Sequence, residues 1–227
     1  MINVALICEG VSEINIMTRI ISKYLDEEPI INPIEPDTKF ENGHLVQTEN
    51  GYGGWMQVLN HCNDEKLTSI LEFNDYIVIQ IDSDASIQAG YDVNPLNTDG
   101  SHKEDSVLYD DILKRLKMNL SAEFLEKYVG KLLFAICINE IECWLLPLYH
   151  TDHNRCKTQN CIYTLNRALA KNNIGCIISN DKNGPHSRAV YTKILKNFNT
   201  KRSIQKSARY HYGFSELLKQ LDVLNEC

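Results

Sequence analysis

The sequence predicts an α/β protein: a mostly parallel sheet flanked by helices, then a basic, mainly helical C-terminal region. Three observations carry this. Residues 2–8, 75–81 and 131–138 are short apolar runs that read as buried strands, apolar on both faces as parallel strands are. The segments between them show helical spacing. The charge also changes sign along the chain. Residues 1–150 carry 25 Asp/Glu against 10 Lys/Arg, a net of −15, and residues 151–227 carry 5 against 13, a net of +8.

The elements follow in order. Residues 2–8 form the first strand, ended by Glu9-Gly10. Ser12 is read as the N-cap of a helix whose apolar face is Ile14, Met17, Ile20, Ile21 and Leu25. Three prolines between 29 and 36 restrict any strand there to a short piece or an edge. Asn50-Gly51-Tyr52-Gly53-Gly54 is a turn cluster, with one helix near 55–71. The strand at 75–81 is the clearest, and it runs into Asp82-Ser83-Asp84. Residues 87–102 are a polar loop, and 106–128 one or two helices. The strand at 131–138 runs into Asn139-Glu140-Ile141-Glu142. A polar stretch at 150–160 marks a boundary between a first domain, 1–149, and a C-terminal region, 150–227, packed on it. The last helix shows Phe214, Leu217, Leu218 and Leu221 on one face.

Composition bounds the function classes. With 227 residues, 43% of them hydrophobic and 23% charged, the chain is neither disordered nor fibrous. The apolar runs at 132–138 and 144–148 are too short to span a bilayer, so no membrane role is expected. The start shows no basic segment and no cleavage site. The expectation is therefore a cytoplasmic protein with reduced cysteines, Cys137 and Cys143 among them as core thiols.

The chemistry lies after the strands. The first is followed by Glu9 and Glu13, the second by Asp82 and Asp84, the third by Glu140 and Glu142. In open parallel sheets functional groups gather beyond the carboxyl ends of the strands. Six carboxylates at one edge repel unless cations neutralise them, and hard oxygen donors suit Mg²⁺ or Mn²⁺. Two such ions would stabilise the attacking and leaving oxygens of phosphoryl transfer. A single acidic pair would be read as a cap or a solvated turn.

Glu9-Gly10-x-Ser12-Glu13 and Asp82-x-Asp84, each after an apolar strand, resemble the Toprim domain of topoisomerases, primases and related nucleases. The second acid four residues on is similar to the overcoming-lysogenisation-defect nuclease branch. Residues 139–146 resemble a group of small standalone bacterial Toprim-like proteins, often encoded beside an ABC-type ATPase in phage-defence loci. The resemblance covers residues 1 to about 148 and loosely extends to Tyr191-Thr192-Lys193 and the last helix. It implies a Toprim/Rossmann-like sheet. Glu9 would be metal ligand or general base, Asp82 and Asp84 metal ligands, Glu13 a holder of one metal, and Glu140 and Glu142 the rest of a second site. It also implies an ATPase partner. No tyrosine stands in a nucleophilic context, and there is no room for strand passage, which argues against topoisomerase or primase activity.

From Lys182 to Ser215 there is no Asp or Glu. Lys182, Arg188, Lys193, Lys196, Lys201, Arg202 and Arg209 are expected to contact nucleic-acid phosphates, with Tyr191, Phe198, Tyr210, Tyr212 and Phe214 interleaved for stacking. Tyr191 and Phe214 are also core candidates. On resemblance, Lys193 is taken as the lysine that touches the scissile phosphate, and Lys182 as the next choice.

Other signals carry less. His150, His153, Cys156 and Cys161 are zinc-ligand types at a non-standard spacing. No P-loop and no Gly-x-Ser-x-Gly elbow occurs. The expected activity is metal-dependent hydrolysis of nucleic-acid phosphodiesters in antiphage defence. The alternatives are an RNase acting on tRNA or structured RNA, a non-catalytic binding subunit of an ATPase complex, and a receiver-like phosphoacceptor at Asp82.

Overall fold

The structure is a computed structural model that describes residues 1–41, 43–49 and 51–225. Four strands form one parallel sheet: β1 (Asn3–Ile7), β2 (Ile30–Glu35), β5 (Tyr76–Asp82) and β6 (Leu132–Cys137), in the order β2-β1-β5-β6. The chain winds one way from β1 to β2, then back past β1 to β5 and β6. The order therefore reverses between β1 and β5, where open α/β sheets have their crevice. β2 is an edge strand, as its proline content requires, with Pro33 opposite Leu6 of β1.

Alternate strand residues feed two cores. Val4, Leu6, Val78, Leu133 and Ala135 face α1 (Val11–Tyr24) and the C-terminal helices. Ala5, Ile7, Ile77, Ile79, Ile81 and Ile136 face the other layer. That layer is α2 (Trp55–His61), α3 (Asp64–Leu71), α4 (Asp105–Lys117) and α5 (Ala122–Lys127).

Several local readings are corrected. α1 begins at Val11 with Gly10 as its N-cap, so Ser12 lies inside the first turn and not at the cap. Residues 55–71 are two helices, because the Asn63 side chain accepts from the Lys66 N–H and starts a new one. A β-hairpin of β3 (Thr38–Glu41) and β4 (His44–Gln47) precedes the glycine cluster and was not expected. Gly43 turns it with φ of +79°, in the left-handed region that glycine adopts without strain. Asn50 of the turn cluster lies outside the described residues.

After β6, residues Ile141–Leu148 form a 3-10 helix, followed by a short 3-10 turn at His153–Cys156. Then come α6 (Cys161–Lys171), α7 (Pro185–Leu195), α8 (Lys201–Ala208) and α9 (Tyr212–Asn225). This second segment shares one apolar core with the first. Trp144 stacks on Phe214 with ring centroids 4.4 Å apart, and both rings are buried. α9 lies against β6, where the Gln220 side chain accepts from the Phe134 N–H at 2.8 Å and donates to its carbonyl at 3.1 Å. The approach is close enough that a methyl on Gly213 would meet the Ile136 carbonyl.

The cysteine expectation is corrected at one pair. Cys143 and Cys161 form a disulfide, their Cα atoms 5.0 Å apart, so Cys143 is not a free core thiol. The 3-10 helix and the start of α6 pack together and bring two cysteines 18 residues apart within bridging reach. Cys8, Cys62 and Cys137 are buried free thiols, and Cys227 lies outside the described residues. Among the described residues no helix is long and apolar enough to cross a membrane.

Candidate metal centre

The carboxyl ends of β1 and β5 meet at the crevice. Glu9 leaves β1 and its Oε1 accepts a hydrogen bond from the Asp82 N–H at 2.6 Å. Gln80, fully buried inside β5, joins the same two residues. It accepts from the Glu9 N–H at 3.2 Å and donates to Asp82 Oδ1 at 2.8 Å. The Tyr91 hydroxyl donates to the Asp82 carbonyl at 3.0 Å. The glycine cluster closes over Glu9: the Gly54 N–H donates to the Glu9 carbonyl at 2.7 Å. A methyl on Gly53 would collide with that carbonyl, so the loop needs a residue without Cβ there.

α1 and the 3-10 helix bring the next two acids. Glu13 is buried and accepts from the Ser12 hydroxyl at 2.8 Å. Glu142 has no exposed surface. Its Oε2 lies 3.1 Å from Lys182 Nζ, and its Oε1 accepts from the Tyr191 hydroxyl. Lys182 Nζ is also 3.8 Å from Glu13 Oε1. Asn183 follows and accepts from the Ser12 N–H at 3.0 Å, tying the lysine's loop to the start of α1.

Glu140 and Asp84 stand at the rim. Glu140 Oε1 accepts from the Ile162 N–H at 2.9 Å and so satisfies one free donor at the start of α6. Asp84 is exposed, and its N–H donates to the carbonyl of Asn139, which has φ of +66°.

The electrostatics follow from this crowding. Burial, with the charges of Glu13 and Asp84, pushes Glu9 up to about 8, although the Asp82 N–H and Lys182 pull the other way. Asp82 is held well above the usual carboxylate range by burial and then by Glu9. Glu13 and Glu140 are raised too, by burial first, and Asp84, exposed as a residue, is raised by the desolvation of its carboxyl at the crowded rim against the pull of Lys182. Burial works against the Lys182 charge, but Glu142, Glu13 and Asp82 raise its pKa all the same.

All six predicted acids thus meet at one edge, and each of the raised ones feels at least one of the others. Among the described residues, Lys182 is the one cation paired with any of them. Their donor chemistry fits a hard divalent cation: buried carboxylate oxygens in excess of positive charge. No three His, Cys, Asp or Glu side chains among the described residues stand in a geometry that would grip one ion. Glu13 and Glu142 are already paired with the Lys182 ammonium, and Glu140 with α6. Among the described residues Glu9, Asp82 and Asp84 form no ion pair, so they are the residues that would hold an ion.

The basic residues separate. Lys193, expected beside the reacting phosphate, donates to the Ile174 carbonyl at 3.1 Å and is exposed on α7. Lys182 stands at the carboxylates instead, its ammonium 3.1 Å from Glu142 and its side chain still 24% exposed. Lys201 pairs with Asp26 at 3.2 Å. Arg202 and Arg209 are exposed on or at the end of α8, and Arg188 and Lys196 lie near α1. Tyr191, Phe198 and Phe214 are buried, which removes them as stacking surfaces in this arrangement. Cys161, one of the four zinc-ligand types, is bonded to Cys143.

Sequence reasoning missed Gln80, Tyr91, Asn183 and the bond from Tyr191 to Glu142. Gln80 had a signal: it is the polar residue inside Tyr-Ile-Val-Ile-Gln-Ile-Asp, and a buried polar side chain needs partners. Comparisons of the chain with protein-family models, curated proteins and solved structures find no match.

Proposed function

We propose that this protein hydrolyses nucleic-acid phosphodiesters with a divalent cation. The observation that carries the reading is the meeting of Glu9, Asp82 and Asp84 at the strand crossover of a parallel sheet, with Lys182, among the described residues, the one cation paired within the acidic group. When bound, Mg²⁺ or Mn²⁺ supplies Lewis-acid activation of water and neutralises phosphate charge.

The chain's own groups take the remaining roles. Hydrolysis forms a P–O bond to the water oxygen and breaks the bond to the leaving sugar oxygen. One proton leaves the water and one reaches the leaving oxygen. Glu9, whose carboxyl stands at the Asp82 N–H, would face the cation deprotonated and take the proton of the attacking water as general base. The Asp82 N–H holds its carboxyl, and Gln80 holds its backbone N–H. Lys182, fixed by Glu142 and Glu13, presents a permanent positive charge that favours the more anionic transition state. Action in antiphage defence beside an ABC-type ATPase belongs to this proposal and rests on the likeness of residues 139–146.

The test is incubation of the protein with plasmid DNA and with total tRNA, in Mg²⁺ or Mn²⁺ and in EDTA, beside Asp82→Asn. Cleavage that needs metal and is lost in Asp82→Asn is expected. No cleavage of either substrate, together with no Mn²⁺ binding by calorimetry, overturns the reading in favour of a non-catalytic binding subunit.

A further inference from the structure

A second concavity lies behind the carboxylates. It is a groove of about 600 Å³ between α1, the β2 edge with the β3–β4 hairpin, and α7. Its cations are Arg19 and Lys23 of α1 and Arg188 and Lys196 of or beside α7, against one acid, Glu28. None of the four cations forms an ion pair among the described residues. Arg19 is positioned by donating from Nε to the Leu195 carbonyl at 3.1 Å. The Arg188 Nε is buried yet has no hydrogen-bond partner. Arg188 lines the groove without an ion-pair partner among the described residues, so its guanidinium can pair with an incoming oxyanion.

The hairpin contributes an aromatic. Phe40 lines the groove and is 80% exposed, on a β3–β4 hairpin that extends from the main sheet. An exposed ring beside unpaired cations is the pairing that single-stranded nucleic acid uses, with bases on the ring and phosphates on the cations. About 600 Å³ is within the range, about 300–1,000 Å³, of sites that enclose a drug-sized molecule, and a nucleotide is of that size. The groove also adjoins the acidic site. Tyr191 lines it while its hydroxyl donates to Glu142, and Ile14 lines it directly after Glu13.

We propose that this groove binds one strand of nucleic acid, with Arg19, Arg188 and Lys196 on its phosphates and a base stacked on Phe40. The proposal deepens the nuclease reading and rests on it for what becomes of the strand. Binding itself does not depend on cleavage, so it is measured in EDTA.

The experiment is fluorescence anisotropy with a labelled oligothymidylate, the matching oligouridylate and a blunt duplex of the same length, over a range of salt. Both single strands are expected to bind more tightly than the duplex, and their relative affinities tell DNA from RNA. Phe40→Ala should weaken single-strand binding about 5- to 150-fold, the range for loss of one base–aromatic stack. Because Phe40 is exposed, its loss does not threaten the fold. Phe73→Ala, 78% exposed after α3, is the control and should bind as wild type. The double variant Arg188→Ala/Lys196→Ala should flatten the slope of log K against log salt by about 1.4, at about 0.7 per phosphate on a single strand. Wild-type affinity in Phe40→Ala with an unchanged slope in the double variant overturns the groove. So does a preference for the duplex. Groove binding without metal-dependent cleavage and without Mn²⁺ binding would uphold this proposal and overturn the nuclease reading.

Discussion

Lys182 Nζ stands 3.1 Å from Glu142 Oε2, so a side chain from the basic part of the chain neutralises a fully buried carboxylate from the acidic part. The opposite charges of the two segments are therefore joined at the site itself. The Tyr191 hydroxyl donates to the other oxygen of the same carboxylate. Glu142 is thus fully engaged by α7 and the loop before it.

Lys182→Met removes the cation and leaves Glu142 buried. Breaking a buried pair on one side costs about 3–5 kcal/mol. Urea unfolding should show a loss at the lower end, because Tyr191 still donates to Glu142 and the Lys182 side chain is 24% exposed. Adding Glu142→Gln to Lys182→Met should restore most of it. Additive losses in the double variant would mean that the pair does not couple.

Stability should fall as pH rises from about 6.5 to 8 in EDTA, above the range in which His61 and His211, lowered by burial, act with the opposite sign. Glu9 has an ordinary value of 4.5 and a folded value of about 8. Between the two, the unfolded chain has given up a proton that the folded protein keeps. The unfolded state then binds fewer protons, and stability declines with pH. Glu13, Asp82, Asp84 and Glu140 are raised as well and add the same sign. Mn²⁺ should rescue more at pH 8 than at pH 5, since ligands bind deprotonated. Asp82→Asn should make the decline shallower. A urea midpoint that climbs with pH over this window contradicts the burial of these groups.

Glu9→Gln should leave the fold intact, because an amide oxygen still accepts from the Asp82 N–H. Cleavage should drop by about a hundredfold or more, within the range of general acid–base catalysis. Glu27→Gln is the control; Glu27 is exposed and touches the amino terminus at 3.5 Å. Rates are compared on whichever substrate the wild type cuts, and full activity in Glu9→Gln would reduce Glu9 to a cap on the β5 end.

The disulfide gives a further prediction. Cys143 adjoins Glu142, and Cys161 adjoins Ile162, whose N–H holds Glu140. Cys143→Ala/Cys161→Ala should lose about 3 kcal/mol, the value for closing a loop of this length. Mn²⁺ affinity should change little if Glu9, Asp82 and Asp84 hold the ion. A large fall in affinity would bring Glu140 and Glu142 into the ligand set.

The three buried strands and the acids after them were legible because each signal is local: an apolar run, then carboxylates. Their convergence followed from one rule of parallel sheets. The β3–β4 hairpin escaped because its strands are four residues each and largely solvated, although Asn42-Gly43 in the sequence is a hairpin turn signal. Lys182 was ranked below Lys193 because resemblance weighted Tyr191-Thr192-Lys193. The helical register of α7 turns Tyr191 inward and leaves Lys193 outside. The Cys143–Cys161 bond depends on how the 3-10 helix meets α6, which no single-segment pattern contains.

The grip of Gln220 on both backbone groups of Phe134 has a consequence for biosynthesis. β6 ends at Cys137 and α9 begins at Tyr212, about 75 residues later. A ribosome adding roughly 5–20 residues per second leaves that border of the sheet open for several seconds. During that time its unpaired amides are a template for another nascent chain. Translation stalled before α9 should therefore yield a sticky intermediate that recruits chaperones, and Gln220→Leu should make even the finished protein more prone to assemble through β6.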